Sequence, residues 1–434
     1  MTELLTGLPA SLKVFSIFIT ILLLYKLRIP LGIAVFSGAL LLSLWSATGL
    51  NGLYKLFHSI IEPENVLLYL VILFLLFFTE ALTASGRMSR TVEALRKRIS
   101  NPKIILAGLP ALIGLLPMPG GALFSAPLVE SADTDSRLSP RLKIAINYWF
   151  RHIWEYWWPL YPGVILAIRY TKIPVGMYIG IMSPLTIAAI AGGYFFILRH
   201  VPTESIKNDG RKIDPSALLA TLIPIVLLVG SAVGGSIVLP EMGMDKSISN
   251  LVSMLAGLVL SLCVIFLVSP AAIMPSVTAL ISKKTALLLI VIVGVQSFAA
   301  ALKLPLDTES MTIVSVMRDE LVGFGIPVVL VVVLLPFISG AITGIAVGFV
   351  GASFPLVIAL LGTQPTERTL VITAVLAFTF GYAGMLLSPV HICFVVTSEY
   401  FKTSLYRTYS LLLGPLLTIL AGAFAVAGCC YLLL

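Results

Sequence analysis

Twelve apolar runs dominate this sequence, at approximately 8–25, 29–48, 64–85, 102–131, 141–171, 174–198, 215–239, 248–268, 285–302, 327–362, 369–401 and 406–433. A helix needs about 20 apolar residues to cross the ~30 Å hydrocarbon core of a bilayer. The runs predict an all-α polytopic membrane protein with about ten transmembrane helices. Composition agrees. Hydrophobic residues make up 59% of the 434 residues and charged ones 11%, against about 25% charged in soluble proteins. A soluble globule of this size would lack the charge to cover its surface. The net charge of +8 reads as loop charge at a membrane face, so the bilayer is an expected partner and nucleic acid is not.

Four of the runs are interrupted. Runs 102–131 and 327–362 are too long for one crossing at 1.5 Å per residue, and each has a Pro/Gly break near its middle. They predict two re-entrant hairpins. Runs 141–171 and 369–401 carry Pro159 with Pro162 and Ser388-Pro389, and predict single crossings made of two half-helices. Irregular backbone cannot face lipid, because each unpaired N–H or C=O would cost several kcal/mol. All four breaks must therefore line a cavity or pack inside protein.

The interruptions repeat. Leu115-Leu116-Pro117-Met118-Pro119-Gly120-Gly121-Ala122 lies 219 positions before Leu334-Leu335-Pro336-Phe337-Ile338-Ser339-Gly340-Ala341. Pro159 lies 230 positions before Pro389, and Pro184 lies 231 before Pro415. Each half has an odd number of crossings, so the second inserts upside down, an inverted-topology repeat. The predicted division is a first scaffold over 1–85, an amphipathic arm over 86–100, a hairpin, broken helix and last helix over 101–199, and a cytoplasmic linker over 200–214. The second half has its scaffold over 215–303, its arm over 304–325 and its remaining elements over 326–434. Placing the loop after the third span in the cytoplasm puts 19 of the 28 basic residues inside, which sends both termini to the other side. The N-terminal MTELLTG lacks a basic n-region and a cleavage site, so the first run reads as a retained helix.

Residues with chemistry cluster at the breaks. Asn147, Arg151 and Glu155 are spaced i, i+4, i+8, on one face of a continuous helix at mid-membrane, with His152 beside them. Intramembrane charges cost at least about 2.5–3.5 kcal/mol each and pair or line a polar path. Either Arg151 and Glu155 neutralise each other, or Arg151 attracts an anionic substrate while Glu155 or His152 meets the coupling ion. Four of five tryptophans stand in the same segment, as packing, as an interfacial belt or as cavity wall. The hairpin tips, 117–121 and 339–343, offer glycines for close backbone approach and half-helix N-termini that favour anions. Pro119, Gly120, Gly121, Ser125, Ser339, Gly340, Thr343 and Ser388 join Asn147 and Arg151 as candidate substrate ligands. His152, Glu155 and His391 are the candidate ion-coupling residues. Glu80 reads as a snorkelling or capping acid, and Glu130, Asp133 and Asp135 as a solvated turn. Cys263, Cys393, Cys429 and Cys430 match no zinc or redox spacing; no metal site and no cofactor is expected beyond H⁺ or Na⁺ as coupling ion.

Three spans, an interfacial helix, a hairpin, a broken helix and a final helix, repeated upside down, resemble the ion-transporter superfamily of gluconate permeases, dicarboxylate carriers and divalent-anion symporters. Leu116-Pro117-Met118-Pro119-Gly120-Gly121-Ala122 and the run NYWFRHIWEYWWPLYPG over 147–163 are most similar to the prokaryotic membrane family catalogued as domain of unknown function 401. The resemblance implies an elevator-type transporter, a homodimer, and a substrate site between hairpin tips and broken helices. The Ser-Asn-Thr tip motifs of the divalent-anion symporters are absent here. The expected function is secondary active transport of a small organic anion across the cytoplasmic membrane, coupled to H⁺ or Na⁺. The alternatives are a polytopic enzyme acting on a lipid-linked substrate, and a channel or structural subunit.

Overall fold

Prolines and glycines play two parts along the apolar runs: the chain turns at Gly344 and at Ser388-Pro389, whereas Pro110, Pro127, Pro336, Pro355 and Pro415 lie inside helices. The computed structural model describes residues 8–434 except 47, 49, 89, 93–98, 100, 117–120, 134–136, 203–214 and 306–310. Among the described residues, regular structure is helical apart from one isolated bridge between Pro305 and Thr312. The first half begins with α1 (Ala10–Lys26), α2 (Leu31–Leu44), α3 (Leu50–Ile60) and α4 (Pro63–Ala84). It continues with α5 (Pro102–Gly114), α6 (Ala122–Ala132), α7 (Pro140–Arg151), α8 (Pro162–Thr171), α9 (Val175–Met182) and α10 (Pro184–Phe196). The second half has α11 (Pro215–Glu241), α12 (Lys246–Val268), α13 (Ile273–Leu280), α14 (Lys283–Ala301) and α15 (Ile313–Gly323). It ends with α16 (Val328–Thr343), α17 (Ala346–Ala359), α18 (Glu367–Leu386), α19 (Ile392–Tyr400) and α20 (Leu405–Leu433).

Among the described residues, seven helical segments are long and apolar enough to cross a membrane, α9 and α10 counting as one, or eight if α15 and α16, bent by 116°, form one span. Ten crossings are therefore not reached by helix length alone, because several runs are divided into shorter helices. Helix α2, for example, has 14 residues. Helices α5 and α6 have 13 and 11 residues, about 20 and 17 Å at helical rise, short of the ~30 Å core. They pack on each other and on α7, as α16 and α17 pack on each other and on α18. The second pair turns at Gly344, whose φ of +64° favours glycine. A Cβ on Gly340 would strike the Gly381 carbonyl, and one on Gly384 the Phe337 carbonyl. Small residues thus let α16 and α18 cross backbone to backbone, as membrane helix pairs do.

The two halves pack reciprocally. Helix α2 lies on α14, and α12 lies on α4; α3 touches α14, and α13 touches α4; α8 meets α17, and α19 meets α6. The short helices α3 and α13 were not foreseen in the apolar runs. Both occupy the same place, between the second and third long segments of each half. Helix α15 is tied to α1 through Glu320, whose two carboxylate oxygens accept the backbone N–H groups of Ala10 and Ser11 at 2.7 Å each. This satisfies donors that a helix N-terminus otherwise leaves orphaned.

The outer surface is apolar. Leu12, Ile19, Val226, Ile237, Leu260, Leu267, Leu417 and Phe424 are all exposed. Polar groups such as Asn147, Ser297, Ser339, Ser388 and Thr397 are buried. Helix α18 is the most enclosed of the long segments, 78% of its apolar window being buried inside the protein, whereas α20 is 22% buried. Apolar outside and polar within is the arrangement a bilayer solvent selects. The protein is a multi-pass membrane protein.

Candidate functional site

Ser139 accepts the Leu142 N–H and Pro140 occupies the first turn, so α7 has a defined start. It ends at Arg151, and the chain then runs through turns over 152–161 before Pro162 opens α8. Glu155 therefore does not continue the helix of Asn147 and Arg151, and the i, i+8 face does not form. Glu155 instead approaches His152, with Oε1 3.8 Å from Nε2.

Three aromatic residues of this turn segment cap backbone carbonyls. The indole N–H of Trp154 donates to the Ala111 carbonyl at 2.8 Å and that of Trp158 to Leu115 at 2.9 Å, while the Tyr161 hydroxyl donates to Gly114. These carbonyls belong to the last turn of α5, where a helix has no internal donors left. Trp157 donates to the Thr186 hydroxyl at 2.8 Å, which donates to the Ile153 carbonyl at 2.6 Å. Trp149 donates to the Ala189 carbonyl, and Tyr382 to the His152 carbonyl. The four tryptophans thus hold the broken segment against its neighbours, and their N–H partners place them inside the protein. Trp158→Phe should leave the Leu115 carbonyl without its donor at a cost of about 1–3 kcal/mol. Thermal unfolding in detergent checks this, and an unchanged midpoint would count against the capping role.

The second break follows the same plan. Helix α18 ends at Leu386, the chain turns over 387–391, and His391 is the N-cap of α19. The Tyr148 hydroxyl donates to the Leu386 carbonyl and that of Tyr409 to Leu387, both at 3.0 Å. Gly344, between α16 and α17, abuts this turn; a Cβ there would lie 2.9 Å from the His391 nitrogen and 3.0 Å from the Ser388 hydroxyl.

The two breaks meet at the centre of the molecule. Arg151 is 2% exposed. Its guanidinium lies at Gly121, the N-cap of α6, where a Cβ would come within 2.5 Å of Nη2 and 2.7 Å of Nη1. A fixed cation and the positive end of a helix therefore share one place, the combination that favours an anion. His152 and His391 face each other with their Nε2 atoms 3.1 Å apart. Cys393 is part of the same group, its sulfur and the histidine nitrogens all lying within 4.8 Å of one another. Asn147 donates to the Thr397 hydroxyl at 3.0 Å, joining α7 to α19.

Other expected ligands make local hydrogen bonds. Ser339 and Thr343 lie in the last turns of α16, where their hydroxyls donate to the Leu335 and Ser339 carbonyls of their own helix. Gly340 is a packing glycine against α18, and the turn itself falls at Gly344. Ser125 is buried, with its hydroxyl donating to the Gly121 carbonyl at 3.4 Å. Ser388 is buried and accepts the Val390 N–H at 3.4 Å. Pro119 and Gly120, with Pro117 and Met118, lie outside the described residues. Of the acidic turn, Asp135 lies outside the described residues. Asp133 is not solvated. It forms a buried ion pair with Lys143 at 2.8 Å and accepts the Arg137 and Leu138 N–H groups. Glu130 meets the same ammonium at 3.2 Å. This ties α6 to α7.

Two further cavities lie among the described helices. One, of about 390 Å³, lies between α3, α4, α8 and α14 and carries Lys55, His58, Arg169, Lys172 and Lys303 beside Glu62 and Glu64. Arg169 and Glu64 bridge it at 2.8 Å. The other, of about 760 Å³, separates α1 from α16 and is mainly apolar. Tyr25 links the same two helices by donating to the Thr343 carbonyl at 3.1 Å.

The fold and centre define an all-helical, multi-pass membrane protein whose two halves each contribute a broken segment to a buried polar core. The chain belongs to the family described as "Protein of unknown function (DUF401)", which matches residues 8–428. No curated protein matches the sequence. Among solved structures, the Alcanivorax borkumensis YdaH transporter shares the fold, with a TM-score of 0.60 and 16% identity over 89% of each chain.

Proposed function

We propose that this protein is a secondary active transporter that carries a small, carboxylate-like organic anion across the cytoplasmic membrane, driven by a gradient of H⁺ or Na⁺. The observation that carries this reading is the Arg151 guanidinium at the start of α6, buried between two breaks. A carboxylate takes two parallel hydrogen bonds from a guanidinium, and the α6 N-terminus adds donors of the same polarity. The shared fold with a protein described as a transporter supports the class. Saturable uptake into liposomes, with counterflow by unlabelled substrate, tests it; uptake without counterflow would indicate a channel, and conversion of substrate an enzyme.

The proposed motion is an elevator. Helices α1–α4 and α11–α14 form the scaffold, and the hairpins, broken segments and last helices move together. Pairs α5–α6 and α16–α17 enter the membrane and return, consistent with their lengths. The reciprocal packing of the halves supports an inverted repeat with both termini extracytoplasmic. In cells lacking Cys263 and Cys429, an impermeant maleimide should label Met242→Cys directly and Lys283→Cys only after permeabilisation. Labelling of both in intact cells would rule out this topology.

A further inference from the structure

We propose that His152, His391 and Cys393 form a binding site for a zinc-class cation at the junction of the two broken segments. This goes beyond the anion reading and does not depend on it. It gives His152 and His391 a different role from the coupling of H⁺ or Na⁺ expected from sequence.

The argument begins with the histidine tautomers. His152 Nδ1 lies 2.5 Å from the Tyr148 carbonyl, and His391 Nδ1 lies 2.6 Å from the Gly344 carbonyl. A carbonyl oxygen only accepts, so both Nδ1 atoms carry hydrogen. In each neutral ring the Nε2 is then a lone pair. The two Nε2 atoms face each other at 3.1 Å, and two lone pairs in that position repel unless a shared proton or a metal cation lies between them.

The donor set selects the cation. With metal–nitrogen bonds of about 2.0–2.1 Å, tetrahedral geometry separates two ligating nitrogens by roughly 3.3 Å, close to the spacing seen. The Cys393 sulfur completes a compact N₂S triad. Two imidazoles and a thiolate suit zinc and its neighbours, whereas sodium, magnesium and calcium prefer oxygen. Donation of the remote ring N–H to a backbone carbonyl is the arrangement that orients metal-binding histidines, and both rings have it. Glu155, 3.8 Å from His152 Nε2, is the nearest carboxylate for a fourth position.

The site would join two distant parts of the chain. His152 caps the end of α7, and His391 and Cys393 begin α19. A bound cation would therefore link the broken segment of one half to that of the other. All three residues are at least nine-tenths buried, so the cation would be held away from water.

Co²⁺ is the probe, because thiolate ligation gives a sulfur-to-cobalt charge-transfer band and tetrahedral geometry gives intense visible bands. Full-length protein in detergent should bind one equivalent per chain and release it to Zn²⁺. Cys393→Ser should abolish the charge-transfer band, and His391→Gln should weaken binding at least tenfold, while Cys263→Ser changes neither. The unmodified protein supplies a second reading that does not rely on folded variants: Zn²⁺ should protect Cys393, and not Cys263, from a membrane-permeant alkylating agent, as read by peptide mass. Absence of both the cobalt bands and the protection in the unmodified protein would overturn the proposal. So would a charge-transfer band that survives Cys393→Ser. Loss of anion uptake with metal binding intact would bear on the transport reading alone.

Discussion

Arg151→Gln is expected to weaken substrate binding about 10- to 100-fold, from the roughly 1.5–3 kcal/mol that a hydrogen bond to a charged group contributes. The reason is geometric. The guanidinium is fully enclosed and lies at the N-cap of α6, and low polarity strengthens its attraction for an anion. A panel of carboxylates is first ranked on the unmodified protein by thermal shift, and the best ligand is then titrated against the variant. Arg151→Lys keeps the charge without the two-pronged geometry and should recover part of the affinity. Arg151 also lies close to Cys393, so unfolding of each variant is measured in parallel. A folded Arg151→Gln protein that binds and transports normally would remove this residue from the anion site.

Cross-linking residues 64 and 169 should stop transport while leaving substrate binding in place. Glu64 is on α4 and Arg169 on α8, and their side chains meet at 2.8 Å. The proposed elevator places α4 in the scaffold and α8 in the moving part. Cysteines at both positions, joined by a cleavable bismaleimide-type linker, would tether the two parts; cleavage of the linker should restore uptake. The native pair is partly exposed, and pairs of that kind contribute at most about 1 kcal/mol. Replacing both residues should therefore be mild before cross-linking. Full-rate transport by completely cross-linked protein would exclude relative motion of α4 and α8 during the cycle.

Much of the architecture was legible because hydropathy and proline placement act locally. The runs 64–85 and 248–268 became α4 and α12 nearly as bounded. The breaks at Pro159 and Ser388-Pro389 became turns, since proline lacks an N–H and disfavours a helical residue before it. The break in run 327–362 falls about one turn later than its Ser339–Thr343 motif suggests: Ser339-Gly340-Ala341 continues as helix, and the chain turns at Gly344. Serine and threonine there return their hydroxyls to carbonyls four residues back, a pattern that sequence spacing does not distinguish from a ligand-facing one. Helices α3 and α13 lie between the apolar runs, because 11 and 8 residues are too few to make a crossing.

Hydropathy alone places this chain in a membrane, and titratable residues and helix interruptions coincide in the sequence near Arg151 and Ser388; the spacing of the interrupted runs predicts two related halves. The first two follow from residues within a turn or two of one another, the third from comparing segments some 220–230 positions apart. What those residues meet depends on how the helices pack. Trp158 caps a carbonyl 43 residues away, and His152 faces a histidine 239 residues away. Cys393, which reads as one more small residue in an apolar run, has its sulfur within 4.8 Å of both histidine nitrogens because α19 packs against α7. The physical reason is that buried polar groups must find partners in a solvent that supplies none. Which partner is within reach is set by how the helices cross, a relation between distant segments that local spacing does not contain.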